Sequence, residues 1–450
     1  MSYFNSKLQM HIPYKLFIFS LWVLISSDML AQGVPASPAL AQNKSILLKG
    51  GIVHTGTGQV IQNGAVAFTL GKITQVTNLD IHKVNEGEYD EVIDVSGKHI
   101  YPGFIAPNST LGLREVDAIR PTRDFSETGT FNPNVRSIIA YNSESRIIPT
   151  LKNNGVLLAQ ITPRYGLVTG TSSIVELDGW DWEDALYKEN DGVHLNWPNM
   201  FSTKGWWAEP GPTEKSTEYE KKVNELKAFF SDAKAYSEVD MPKQKNLKLE
   251  AMRGLFNGQQ KLYINADYVK EIMQAINFAR GLGIKNMVII GGSDSWLIPE
   301  MLKENNVSVI VTRLHSLPVR PEDDVDQPYK LPFLLQQADI LYCLNYEGDM
   351  EVMGTRNIGF TAGTAVAYGL TKEQALMAIT LNTAKILGID KTTGSIEIGK
   401  DASIFVSTGD ALDMRTNNVE FAFIRGKKQD LDDHQKQLYK KFSAKYNVEK

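Results

Sequence analysis

The chain has 450 residues, of which 42% are apolar and 22% charged, and its formal net charge is −5. These proportions are typical of a soluble globular protein and exclude a disordered or fibrous chain. The acidic balance argues against a broad nucleic-acid-binding face, and the single cysteine, Cys343, excludes an intramolecular disulfide and a thiolate zinc cluster.

Residues 1–41 have the pattern of a signal peptide and spacer. Lys7 and Lys15 supply positive charge, and the apolar segment Leu16–Ser27 is too short to span a bilayer comfortably. Cleavage after Ala31 or after Ala41 fits the small-residue rule, and an uncleaved anchor is the alternative. We therefore predict an exported protein of a bacterial periplasm, with no membrane contact after cleavage.

Residues 45–101 and 390–428 have a strand-rich pattern at the two ends of the chain. Short β-branched and apolar runs are separated by glycine turns, such as Gly50-Gly51 and Gly71-Lys72, which indicates hairpins. The run that follows Gly394 has the same texture. We expect the two segments to form one β-sandwich domain.

Residues 102–389 have a different texture, in which apolar runs of four or five residues alternate with helical patterns. This alternation predicts a parallel β/α sheet or barrel. Three helices are expected, over Thr213–Tyr236, Tyr268–Leu282 and Thr371–Leu387, and the last opens with a capping-box pattern at Thr371 and Gln374. Residues 429–450 are expected to form a charged helical tail.

Four segments in this order resemble the amidohydrolase superfamily, in particular its imidazolonepropionase-like exported branch. They are Gly50–Val76, Pro102–Ile105, Ala365–Leu376 and Gly394–Ala402. The resemblance implies the α/β class, with a (β/α)8 TIM barrel inserted in a split β-sandwich (composite) domain. It also implies a site at the C-terminal ends of the barrel strands.

The metal ligands that this resemblance leads us to expect are replaced. The family's His-x-His pair on the first barrel strand corresponds here to Asn108 and Thr110, which would offer only neutral oxygens from the same strand face. The fifth-strand histidine would fall near Asn265, and the sixth-strand histidine near Gly291. An intact family member would use a divalent metal such as zinc to activate water. For this chain we expect no metal and no other cofactor.

Two histidines and several acids remain as candidate site residues. His194 and His315 are the histidines of the barrel segment, and ordinary packing is the alternative role for each. Asp294, Glu347 and Asp349 are candidate catalytic residues, as a carboxylate metal site or an acid/base pair. Solvated loop acids and helix caps are the alternative.

Five tryptophans fall within residues 180–207, a segment that also contains several glycines and prolines. We expect a long ordered loop over the barrel mouth, able to stack on a sugar or peptide, with a satellite hydrophobic cluster as the alternative. The candidate ligand-binding residues are Trp180, Trp182, Trp206, Trp207 and His315. The run Gly166–Ser173 resembles a family loop near the same mouth.

Three functions stay open on the sequence. The first is a hydrolase acting on carbon–nitrogen bonds, either of non-peptide or of dipeptide type, with a non-standard site. The second is a degenerate, metal-free paralogue (a pseudoenzyme) that binds a ligand or partners an active amidohydrolase subunit. The third is a periplasmic sugar- or peptide-binding protein that uses the tryptophan segment. The loss of histidines favours the second; the substrate and the oligomeric state cannot be read from the sequence.

Overall fold

The computed structural model describes residues 38–206, 208–348 and 350–446. The predicted signal peptide falls almost entirely outside these residues, and so do Trp207 and Asp349. Among the helices of the described ranges, none has the length and apolar character needed to cross a membrane. The strands are β1 (Ile46–His54), β2 (Val60–Thr69), β3 (Lys72–Asn78), β4 (Glu91–Asp94), β5 (His99–Pro102), β6 (Phe104–Ser109), β7 (Val156–Ile161), β8 (Val168–Glu176), β9 (Leu186–Asn196), β10 (Phe201–Trp206), β11 (Glu209–Lys215), β12 (Lys261–Ala266), β13 (Met287–Gly291), β14 (Ser308–Val311), β15 (Tyr342–Leu344), β16 (Ile404–Ser407), β17 (Val419–Ile424) and β18 (Lys427–Lys428).

The α-helices lie mostly between the later barrel strands and after them. They are α1 (Ile148–Lys152), α2 (Trp182–Ala185), α3 (Tyr219–Ser237), α4 (Leu247–Glu250), α5 (Arg253–Phe256), α6 (Val269–Gly281), α7 (Pro299–Glu304), α8 (Gln327–Gln337), α9 (Glu351–Gly354), α10 (Ile358–Ala367), α11 (Lys372–Met377), α12 (Leu381–Leu387) and α13 (His434–Tyr446).

The two ends of the chain meet in one sheet, with the order β18-β17-β16-β5-β1-β2-β3 and with β4 paired to β1. Alternate residues of β1 enter different clusters: Ile46 and Leu48 pack on one face and Leu47 on the other. Because successive side chains of a strand point to opposite faces, both faces of this sheet are covered by apolar clusters. The predicted pairing of the N-terminal and C-terminal segments is present.

The sheet leads directly into the barrel. A single residue, Gly103, separates β5 from β6, and its N–H donates to the carbonyl of Ser403 at 2.9 Å. A Cβ atom at this position would lie 2.7 Å from Leu157 Cδ1, so a side chain would collide with β7. The glycine thereby fixes the start of the strand that carries Asn108.

The second large sheet has the order β15-β14-β13-β12-β9-β8-β7-β6 and forms a nearly closed eight-stranded barrel. Its strands from β12 to β15 are parallel and largely apolar, as expected of strands buried on both faces. The α/β barrel fold predicted from the sequence is therefore confirmed.

One strand departs from the expected all-parallel barrel. β8 runs antiparallel to both β7 and β9. Only six residues join β7 to β8, with left-handed Tyr165 and Gly166 in the turn, whereas a parallel crossover needs a dozen or more. The expectation that Gly166–Ser173 forms a mouth loop is wrong, because most of it lies in the buried strand β8.

The barrel is closed by a break between two helices. The sequence pattern predicted one helix over Thr371–Leu387, but α11 ends at Met377 and α12 begins at Leu381. In the break, the carbonyl of Ile379 accepts the N–H of Ile105, and that of Ala378 accepts the N–H of Leu344, both at 3.0 Å. These carbonyls bridge β6 and β15, so the helix cannot continue through them.

Candidate functional site

The end of β6 carries Asn108 and is followed by Thr110, the two positions at which the resemblance leads us to expect a histidine pair. Asn108 and Thr110 are fully buried. Between Ala106 and Ser109 the pairing with β7 is irregular, and Asn108 has a left-handed φ of 48°. The simple alternation assumed for positions 108 and 110 is therefore incorrect, because this irregularity interrupts the strand.

A guanidinium group lies against these residues. Arg164, three residues after β7, donates from Nη1 to Asn108 Oδ1 at 2.6 Å and from Nη2 to the Asn108 carbonyl at 2.7 Å. Its Nη2 also contacts Glu351 Oε1 at 3.0 Å. The side chains of Arg164 and Glu351 are 17% and 5% exposed, so this is a largely desolvated ion pair.

Two glutamates complete the polar cluster. Glu351 Oε1 accepts the N–H of Thr110 at 2.9 Å and its hydroxyl at 3.2 Å. Glu347 Oε2 accepts the Asn108 amide at 2.9 Å. Burial raises the pKa of Glu347 above its usual range, and Arg164 opposes this shift, while Glu351 and Asp267 add to it. We call Asn108, Thr110, Arg164, Glu347 and Glu351 the mouth cluster.

A buried network continues from the mouth cluster into the barrel. Gln160 accepts the N–H of Asn108 at 2.9 Å and donates to Asp191 Oδ2, also at 2.9 Å. Asp191 accepts the Tyr263 hydroxyl at 2.5 Å. Tyr263 in turn stacks on His194, with ring centroids 4.6 Å apart.

His194 lies inside the barrel as a neutral ring. It is 1% exposed, and neither ring nitrogen has a hydrogen-bond partner in the described structure. Burial lowers its pKa well below the usual range, and the charge of Arg164 adds to this effect. The packing role left open by the sequence fits these contacts.

The other two degenerate positions are engaged in local structure. Asn265 donates from Nδ2 to Asn196 Oδ1 at 2.8 Å, which links the ends of β12 and β9. Gly291 has a φ of 91°, and a Cβ atom there would lie 2.7 Å from Asp267 Oδ1. A histidine at residue 291 would therefore require Asp267 to move.

Two further candidates lie in other surroundings. Asp294 receives a bidentate contact from Arg320, the shortest at 2.6 Å, and accepts the Val269 N–H at the start of α6. His315 is exposed, and its Nε2 is 2.8 Å from the Thr364 hydroxyl on α10. Glu347 is thus the one acid of the three candidates that the described structure joins to the mouth cluster, since Asp349 is not described.

The tryptophan segment is not one loop. Strand β9 of the barrel runs through it, followed by the hairpin of β10 and β11. Trp180 is 68% exposed, Trp182 packs partly on the core, and Trp197 is buried with its indole N–H donating to the Tyr219 hydroxyl. The side chains of Trp206 and Trp207 lie outside the described part of the structure.

The residues at the mouth do not fit the divalent metal that the resemblance implies. Zinc needs imidazole, thiolate or carboxylate donors, whereas two of the expected positions supply an amide and a hydroxyl that already bond to protein groups. The guanidinium of Arg164 brings a fixed positive charge to the same place, which would repel a cation. Within residues 38–446, apart from 207 and 349, no three His, Cys, Asp or Glu side chains converge as a metal site.

Comparison with known proteins shows which fold the chain shares. Residues 338–428 match the model of the Amidohydrolase family. An amidohydrolase from Thermotoga maritima MSB8 is 24% identical with a TM-score of 0.73, over 85% of this chain and 99% of that one. The fold is that of the amidohydrolase superfamily. No curated protein matches the chain.

More distant amidohydrolase-like structures share the fold as well. A Xaa-Pro dipeptidase with bound methionine in its active site is 13% identical with a TM-score of 0.54, over 86% of this chain and all 100% of the other. An adenosine deaminase from Xanthomonas campestris with bound zinc is 15% identical with a TM-score of 0.51, over 92% and 99%. The resemblance proposed from the sequence is confirmed at the level of the superfamily.

Sequence reasoning missed Arg164, the residue that organises the mouth cluster. The sequence drew attention to positions 108 and 110 but gave no sign of the guanidinium beside Asn108. Arg164 follows Pro163 after an apolar strand, and such a residue resembles any loop arginine. Its position at the end of β7, next to β6, is the signal that could have found it.

Proposed function

We propose that this chain is a metal-free member of the amidohydrolase superfamily that binds a small ligand at the C-terminal face of its barrel. The observation that carries the proposal is the contact of Arg164 with Asn108 and Glu351. A guanidinium supplies one fixed positive charge but has no coordination position that could lower the pKa of water. The cluster can therefore bind and orient polar groups without zinc chemistry.

The fold supports the hydrolase class and leaves the activity of this chain to experiment, because one fold hosts many functions. The test is a hydrolysis assay on a panel of dipeptides, N-acyl amino acids and cyclic amides, with added zinc and with EDTA. We expect no turnover under either condition. Turnover that requires zinc and is abolished by EDTA would overturn the proposal; the zinc-containing Xanthomonas campestris enzyme, assayed on adenosine, is the control.

A second candidate, metal-independent hydrolysis, follows from Glu347. Partial burial raises the pKa of its carboxyl, so Glu347 holds a proton to higher pH than an ordinary glutamate does, as a general acid requires. In that case the panel would show turnover that EDTA leaves unchanged, and Glu347→Gln would lower it by about a hundredfold or more. Turnover that survives Glu347→Gln would exclude this role.

We also propose that the protein is exported, on the signal-peptide pattern of residues 1–41. Fractionation of cells that express the full chain tests this. A mature protein in the periplasmic fraction, with an N-terminus at Gln32 or Gln42, is the expected result. The full-length chain retained in the cytoplasm would contradict it.

A further inference from the structure

A narrow cavity lies between the ends of β13 and β14 and the start of α8. Its free volume is about 40 Å³, room for roughly three waters. Trp296, Leu317 and Leu331 supply apolar walls, while Arg313 and Gln327 supply polar groups. One small polar group of a ligand, with an apolar neighbour, would fill such a space.

The polar groups of this cavity include donors without acceptors. Arg313 Nε and Gln327 Nε2 are buried, and neither has a hydrogen-bond partner within the described ranges. The Arg313 guanidinium stacks over Tyr346, with Cζ at 5.4 Å from the ring centroid. Buried donors of this kind cost free energy unless an acceptor reaches them.

The charge of Arg313 is also uncompensated by the acids that line the cavity. Asp294 and Asp323 both face Arg320, at 2.6 Å and 3.6 Å. None of the ion pairs formed between described residues involves Arg313. The cavity therefore presents one guanidinium and one amide donor to whatever enters it.

We infer that this cavity binds the carboxylate of a small ligand, with Arg313 and Gln327 as the donors. A guanidinium matches a carboxylate in geometry and charge. One unpaired cation among the described residues that line the cavity, and room for about three waters, favour a monoanion over a phosphate dianion. This inference deepens the proposed binding role by naming the ligand class, and it rests on that role.

Isothermal titration calorimetry on the mature chain tests the inference with N-acetyl-L-leucine, its uncharged amide N-acetyl-L-leucinamide, and inorganic phosphate. We expect the acid to bind more tightly than both. Arg313→Met and the isosteric Gln327→Glu should each weaken binding of the acid by about tenfold to a hundredfold, as for loss of a charge-assisted hydrogen bond. Arg415→Met, at an exposed arginine, is the matched control and should leave binding unchanged.

Several outcomes would overturn the inference. Equal binding of acid and amide would exclude a carboxylate site, and tighter binding of phosphate would reassign the ligand class. Binding that appears only in Asp349→Asn would show that Asp349, which lies outside the described residues, already neutralises Arg313. The zinc content bears on the proposed function alone, so a zinc-free protein that does not bind the acid would contradict only this inference.

Discussion

At the residue scale, Arg164 is the side chain that links the members of the mouth cluster. Its guanidinium contacts Asn108 and Glu351 and lies close enough to Glu347 to oppose the rise in that carboxyl's pKa. Removal of one partner from a buried ion pair leaves an uncompensated charge, which costs more than an exposed pair is worth. The mouth cluster is therefore expected to depend on this one side chain.

Arg164→Met should lower the free energy of unfolding by about 3–5 kcal/mol at pH 7. The loss should be smaller at pH 5 than at pH 7, because the raised pKa of Glu347 favours uptake of a proton as the pH falls. Urea denaturation at both pH values measures this. Arg415→Met is the control: the Arg415 side chain is 84% exposed, and its loss should change the free energy of unfolding by less than about 1 kcal/mol. Equal, small effects of both substitutions would contradict the account.

Glu176, at the end of β8, gives a prediction of pH dependence. Its side chain is 3% exposed, and burial raises its pKa to about 7, although Arg425 lies 2.6 Å away and opposes the shift. A raised folded-state pKa means that stability present at low pH is lost as the pH rises through about 7. Between pH 4.5 and pH 8, the free energy of unfolding of the wild type should fall by roughly 3 kcal/mol more than that of Glu176→Gln. Parallel stability curves for the two proteins would show that Glu176 titrates normally.

At the element scale, some helices could be predicted and others could not, for identifiable reasons. The stripe of Tyr219, Val223, Leu226 and Phe230 predicted a helix, and all four are buried in α3. The helix begins at Tyr219 and not at Thr213, because residues 209–215 pair with β10 as a hairpin strand. Pairing with the adjacent strand of the hairpin sets this boundary, and helical periodicity alone does not reveal it.

The capping box at the start of α11 was predicted from the sequence and is confirmed. Thr371 Oγ1 accepts the N–H of Gln374, and Gln374 Oε1 accepts the N–H of Thr371. Thr371→Ala should lower the free energy of unfolding by about 1 kcal/mol. Thr371→Ser keeps the hydroxyl that caps the helix, so its free energy of unfolding should stay close to that of the wild type. Thermal or urea unfolding of the three proteins measures the difference. A larger loss in the serine variant than in the alanine variant would contradict a capping role.

The break between α11 and α12 shows where helical periodicity fails to predict the structure. Residues 371–387 are periodic enough to predict one helix, but Ala378 and Ile379 use their carbonyls to close the barrel between β15 and β6. That requirement comes from the ends of strands more than 30 residues and more than 270 residues away in the chain. Prediction of the candidate site from the sequence was incomplete for the same reason. The sequence identified Asn108 and Thr110, but Arg164 reaches them only through the fold.

At the scale of the whole molecule, the protein has the amidohydrolase barrel fold, with the mouth cluster at the end of the first barrel strand. The barrel, the composite sheet and the strand that carries Asn108 all follow the fold. The polar cluster of two glutamates, an asparagine, a threonine and an arginine stands at the end of that strand. We expect such a molecule to keep its stability when metal is withdrawn, because no metal would contribute to the folded state.

The zinc content of the purified protein tests this account most directly. The mature chain would be expressed with added zinc, dialysed, and measured by elemental mass spectrometry beside the zinc-containing Xanthomonas campestris adenosine deaminase. The account predicts zinc far below one atom per chain, with the control near its full complement. One or two zinc atoms retained per chain, and lost on mutation of Glu347 or Glu351, would contradict it.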